Sequence, residues 1–64
     1  MKFSELKKIL RNNGCYLYTE GSKHEMWYSP ITSNYFRVGS HNSEDVKKGT
    51  LHGILTYAGI DLKR

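Results

Sequence analysis

The sequence predicts an α+β fold of order α-β-β-β-α, in which a three-stranded antiparallel sheet carries two helices on one face. Three observations predict it. Apolar residues recur at helical spacing only near the two ends of the chain. Three short runs rich in alternating aromatic and β-branched residues lie between them, and the links joining those runs are short enough to demand antiparallel neighbours. Each helix brings one apolar stripe that needs cover, and a single sheet face supplies it to both.

The first helix is expected over residues 3–14. Phe3, Leu6, Ile9 and Leu10 form its apolar stripe, with Lys7, Lys8 and Arg11 turned elsewhere. Ser4 is the expected N-cap, Glu5 suits the positive end of the helix dipole, and Asn12-Asn13-Gly14 stops the helix with a glycine able to take left-handed angles. Cys15–Thr19 reads as the first strand, Glu20-Gly21-Ser22 as a turn, and Lys23–Tyr28 as the second strand, halted at Ser29-Pro30. Tyr35–Val38 is the third strand, after a polar connection over Ile31–Asn34. A loop runs from Gly39 to Asp45. The second helix starts near Lys48, with Leu51, Ile54, Leu55 and Ala58 at i, i+3, i+4 and i+7. Gly59 closes it, Ile60 stands where the next residue of a Schellman motif touches Leu55, and Asp61–Arg64 is a polar tail.

Composition bounds what such a chain does. Sixty-four residues, read as one domain over 1–64, allow only a small core. Ten Lys and Arg against six Asp and Glu give a net charge of +4, which favours an anionic partner. The single cysteine, Cys15, cannot form an intrachain disulfide and fits a reducing compartment. No apolar run reaches membrane-spanning length and no signal peptide opens the chain, so a cytoplasmic location with no membrane partner is expected.

Chemistry concentrates at Gly21-Ser22-Lys23-His24. A turn glycine with unusual backbone angles, a small hydroxyl, a cation and an imidazole that titrates near neutrality stand together at the start of a strand. Alternation puts His24, Met26 and Tyr28 on one face and Lys23, Glu25 and Trp27 on the other. With Met26 pointing at the helices, His24 stands at the rim of the core, partly desolvated and available as a base. The plainer reading of His24 is the end of a hydrophobic face. His41, in the loop after strand three, is a supporting acid or base if pairing brings it close, and otherwise a solvated loop residue. His52 reads as a surface histidine. The histidines and Cys15 match no zinc spacing, and Gly49-Thr50 is no phosphate-binding loop, so neither metal nor small-molecule cofactor is expected. Lys7, Lys8, Arg37, Lys47 and Lys48 are candidate phosphate contacts, the last two beside the free amides of a helix N-terminus. Tyr16, Tyr18, Trp27, Tyr28 and Tyr35 offer stacking surface for bases, with the Trp27 face, opposite the helices, as the candidate exposed patch.

Several motifs together resemble the HicA toxins of bacterial toxin–antitoxin pairs. They are Gly21-Ser22-Lys23-His24 followed by Met26, then Phe36-x-Val38-x-x-His41, then Lys48-Gly49-Thr50-Leu51-x-x-Ile54-Leu55-x-x-Ala58-Gly59-Ile60. The opening Ser4-Glu5-Leu6-x-x-x-Leu10 with Asn13-Gly14 fits as well, so the similarity spans residues 3 to 60. It implies a double-stranded-RNA-binding-domain-like fold and a metal-independent endoribonuclease, an mRNA interferase independent of the ribosome. It implies His24 as the catalytic residue, with Gly21 and Ser22 forming the turn that presents it, and His41 matches a histidine frequent in the family after strand three; support from Lys23 or His41 for the second proton transfer is read from the residues themselves. The implied partners are mRNA and a HicB antitoxin, which covers the histidine and in complex with the toxin often represses its own operon. Two departures stand out: Lys23 occupies a position where many relatives have a second histidine, and Gly39 one where many have proline. The alternatives are a non-catalytic RNA-binding module of the same fold and a protein-binding adaptor.

Overall fold

The computed structural model describes residues 1–61. The elements run α1 (Phe3–Asn12), β1 (Tyr16–Glu20), β2 (His24–Ser29), β3 (Asn34–Gly39) and α2 (Lys48–Ala58). The strands form one antiparallel sheet in the order β1-β2-β3, which is the expected α-β-β-β-α meander. Each strand begins or ends a residue or so from its expected bounds. Of the expected polar tail, Leu62, Lys63 and Arg64 lie outside the described residues.

The core sits between the helices and one face of the sheet. Leu6 and Leu10 of α1, Trp27, Phe36 and Val38 of the sheet, and Ile54 and Ala58 of α2 are all buried, with Cys15 and Val46 beside them. Trp27 pairs with Leu17 on one side and Phe36 on the other, so a single row across the sheet carries much of this apolar contact. The phase of β2 is therefore the reverse of the expectation. Trp27 faces the helices and is fully buried, while His24, Met26 and Tyr28 lie on the open face. Both sets of β2 side chains are apolar enough to face a core. The largest ring wins because burying it removes the most surface from water.

Helix ends also depart from expectation in instructive ways. The N-cap of α1 is Lys2 rather than Ser4. The Glu5 carboxylate accepts the Lys2 amide at 2.9 Å, while the Ser4 amide donates to the Asn42 carbonyl. Phe3 donates to Glu44, and Val46 donates to Met1, so the first residues are laced to the loop that precedes α2. At its other end α1 stops through Gly14, whose φ of +89° is left-handed as expected.

Helix α2 closes through Gly59 at φ +75°, with the Ile60 amide donating to Leu55 as the Schellman arrangement requires. Two hydroxyls, one at the end of β2 and one in the connection that follows it, satisfy further carbonyls at this end: Ser29 Oγ donates to Ala58 and Thr32 Oγ1 to Tyr57. The hairpin is thereby tied to the helix that crosses behind it.

Candidate active site

Gly21 earns its place by closeness. Its amide donates to the His24 carbonyl at 2.8 Å, and a Cβ on it would stand 2.7 Å from that same oxygen. Its φ is not left-handed, so close backbone approach, and not the unusual backbone angles expected from sequence, is what the turn demands of it. The tight turn delivers His24 as the first residue of β2, exposed on the open face. It is not held at the rim of the core.

Antiparallel pairing sets His24 opposite Gly39, so the loop after β3 starts beside the imidazole's own backbone. Ser40 holds that junction, its amide and its hydroxyl both donating to the Lys23 carbonyl. Two clefts meet at His24. One, of about 460 Å³, is lined by Ser22, Lys23, His24, Met26 and Arg37 together with Glu20 and Glu25. The other, of about 430 Å³, is lined by Lys23, His24, Arg37, His41, Lys47 and Thr50, with Glu44 and Asp45 at its acidic side. His24, Lys23 and Arg37 belong to both. The expected supporting residues Ser22, Lys23 and His41 thus all surround His24.

The candidate phosphate contacts divide. Arg37 and Lys47 reach the His24 clefts, whereas Lys48 lines a separate depression with Leu51, His52 and Leu55. Lys8 lies in another, beside Arg11 and Glu20. Lys7 is not a surface cation at all: it is buried, its ammonium 3.0 Å from a Glu25 carboxylate oxygen and donating to Asn42 at 2.6 Å. The same carboxylate accepts Trp27 Nε1–H at 2.9 Å, and the Arg11 guanidinium lies over the Trp27 ring. Burial alone would raise the Glu25 pKa. The Trp27 and Lys7 hydrogen bonds and the charges of Lys7 and Arg11 outweigh it and hold the carboxyl below its ordinary value. Spacing placed Lys7 off the apolar stripe and gave no sign that its charge is answered from the sheet.

Sequence reasoning also passed over Thr50, in the first turn of α2, which lines the His41 side of the site. Its nearness to Lys47 at a helix start was the available signal. The exposed aromatic patch is on the face opposite to the one expected. Trp27 is buried, and the open face instead carries Tyr16, Tyr18, Tyr28 and Tyr35, linked ring to ring with centroids 5.5, 4.9 and 4.8 Å apart. Loss of water around the Tyr35 phenol, and then its tyrosine neighbours, push its pKa above the ordinary phenol value.

Among the described residues, no three His, Cys, Asp or Glu side chains gather where they would hold a metal ion, and no helix is long and apolar enough to cross a membrane. Comparison with curated proteins and with solved structures returns no significant match. A family model described as the HicA toxin of bacterial toxin–antitoxin systems matches residues 3–60. The match covers both helices, the whole sheet, the turn that presents His24 and the loop that carries His41, and the chain belongs to the HicA toxin family.

Proposed function

We propose that this toxin is a metal-independent, ribosome-independent endoribonuclease that cuts mRNA and is neutralised in the cytoplasm by a HicB antitoxin. What supports this reading is the meeting of an exposed imidazole, a second histidine and three cations around two joined clefts. His24 acts as general acid or base, so that a ribose 2′-hydroxyl attacks its own phosphodiester and the 5′-oxygen departs with a proton. The products are a cyclic phosphate and a free 5′-hydroxyl. Lys23, Arg37 and Lys47 neutralise the phosphate charge, and His41 serves the complementary proton transfer. Ser22 hydrogen-bonds a non-bridging oxygen. Lys8 and Lys48 contact the strand away from the scissile bond.

Expression of wild type and of His24→Ala in cells, scoring growth and mRNA integrity, tests the assignment. His24→Ala should lower cleavage by about 10²–10⁴-fold while keeping RNA affinity. Product ends bearing 5′-phosphate, or cleavage stopped by EDTA, would overturn the mechanism. A wild type that binds RNA without cutting it is the binding module instead, and one with no RNA affinity even at low salt is an adaptor.

A further inference from the structure

The ribonuclease reading uses only the His24 end of the sheet's open face, and the rest of this face has an order of its own. The strand register aligns Tyr16, Tyr28 and Tyr35 in one row straight across the sheet. The next row is Thr19, Met26 and Arg37, and the row beyond it brings His24 against Gly39. The irregularity between Leu17 and Thr19 turns Tyr18 over the sheet, where its ring meets Tyr35 from the far strand at 4.8 Å. Tyr16, Tyr18 and Tyr35 are each more than half exposed, at 51%, 56% and 51%. Three rings left this open and joined through a half-buried fourth, Tyr28, are unusual in a chain with so small a core.

Charge and continuity say what covers them. His24 and Tyr28 lie four residues apart on the same side of one strand, roughly 13 Å at the rise of an extended chain. Arg37 stands in the row between, lines both His24 clefts, and also lines a third depression with Met26, Tyr35 and Tyr57. The sheet's two carboxylates, Glu20 and Glu25, are register partners set on the other face; both reach the edge of the first His24 cleft, neither stands in the tyrosine row, and Glu25 is engaged by Lys7. Among the described sheet residues, the row order is therefore imidazole, guanidinium, aromatic rings. That sequence of groups matches a strand of nucleic acid with its phosphate at one end and its bases laid down beyond it.

We propose that the tyrosine row is a stacking platform for unpaired bases, so that the substrate of the His24 site is single-stranded RNA running from the cleft across the open face. The proposal rests on the ribonuclease reading for its direction, and it excludes duplex RNA as the preferred substrate, because paired bases cannot be splayed onto rings. The stacking is indifferent to base identity, since every base has a π-face.

Fluorescence anisotropy of a labelled single-stranded RNA oligonucleotide, read on the His24→Ala background so that nothing is cut, tests it. Tyr35→Leu and Tyr16→Leu should each weaken binding by about tenfold or more, and Tyr35→Phe should bind like the parent because the ring is kept. An abasic oligonucleotide of the same length should bind the parent more weakly and lose nothing further in the leucine variants. A duplex should bind more weakly than the single strand. Unchanged affinity in the leucine variants, equal binding of the abasic strand or equal binding of the duplex would each overturn the platform. So would leucine variants that lose capture of the antitoxin but keep RNA affinity, since the face would then belong to a protein. The two readings fail separately. If wild type cuts RNA and the leucine variants cut it with unchanged KM, the platform is wrong and the nuclease stands. If wild type cuts nothing while the leucine variants still lose single-strand affinity, the platform stands and the nuclease is wrong.

Discussion

Lys7 and Glu25 form an ion pair sealed under the sheet, with side chains 5% and 14% exposed, and this pair illustrates how single residues behave here. Removing one member leaves the other charged and buried. Glu25→Leu strands the Lys7 ammonium with only Asn42 and orphans the Trp27 N–H, so it should cost about 3–5 kcal/mol by urea denaturation. Lys7→Met combined with Glu25→Leu should cost less than the sum of the singles, because no lone charge remains. The pair also sets a pH dependence. Glu25 is held below its unfolded pKa, so the unfolded chain binds more protons in that interval and stability rises with pH through it. The contribution is fully present above the unfolded carboxylate value and is lost as pH falls through the folded one. Subtracting the pH–stability curve of Glu25→Gln from that of the wild type should isolate this acid limb. None of this was legible at position 7, where helical spacing alone argues for solvent. His24, by contrast, stood out because the chain holds only three histidines and only this one follows a tight turn onto a strand.

At the scale of elements, two left-handed glycines end the two helices but stand in different surroundings. A Cβ at Gly14 would meet only Pro30, at an ordinary 3.6 Å. At Gly59 it would lie 2.7 Å from Thr32 Cγ2 and 2.9 Å from Ile31 Cγ2, and Thr32 is held in place by its hydrogen bond to Tyr57. Gly14→Ala should therefore cost about 1–2 kcal/mol from backbone strain alone, and Gly59→Ala measurably more, both by thermal denaturation. Gly39 has a similar constraint of another origin: a Cβ there would come within 2.9 Å of the Phe3 ring, so side chains larger than glycine displace α1's first aromatic. Helices, strand order and both glycine stops were legible because they depend on local periodicity and backbone preference. The phase of β2 was not. An alternating strand with Met26 and Tyr28 on one side and Trp27 on the other admits two orientations, and only the partners of Trp27 across the sheet decide between them.

For the whole molecule, the net charge of +4 matters less than where the cations stand. Lys47 lines the His24 site and its sequence neighbour Lys48 does not. If RNA crosses that site, Lys47→Met should flatten the dependence of log affinity on log salt by about 0.7, the value of one released counterion on a single strand, and Lys48→Met should change it less. Titrations at several salt concentrations give both slopes directly. Gathering the residues of the candidate site was beyond sequence alone, because the proximity of His41 to His24 depends on a strand register that side-chain patterning leaves open.

The lacing of the chain's first residues to the loop before α2 has a kinetic consequence. The amides of Phe3, Ser4 and Val46 all donate across that seam, and Lys7 and Lys2 reach across it to Asn42 and Asp45. In deuterated solvent these three protons should be lost together, at one rate, in a single opening that also releases His41. Trimming the first few residues would thus alter the tempo of the loop that carries His41, leaving His24 and its turn as they are.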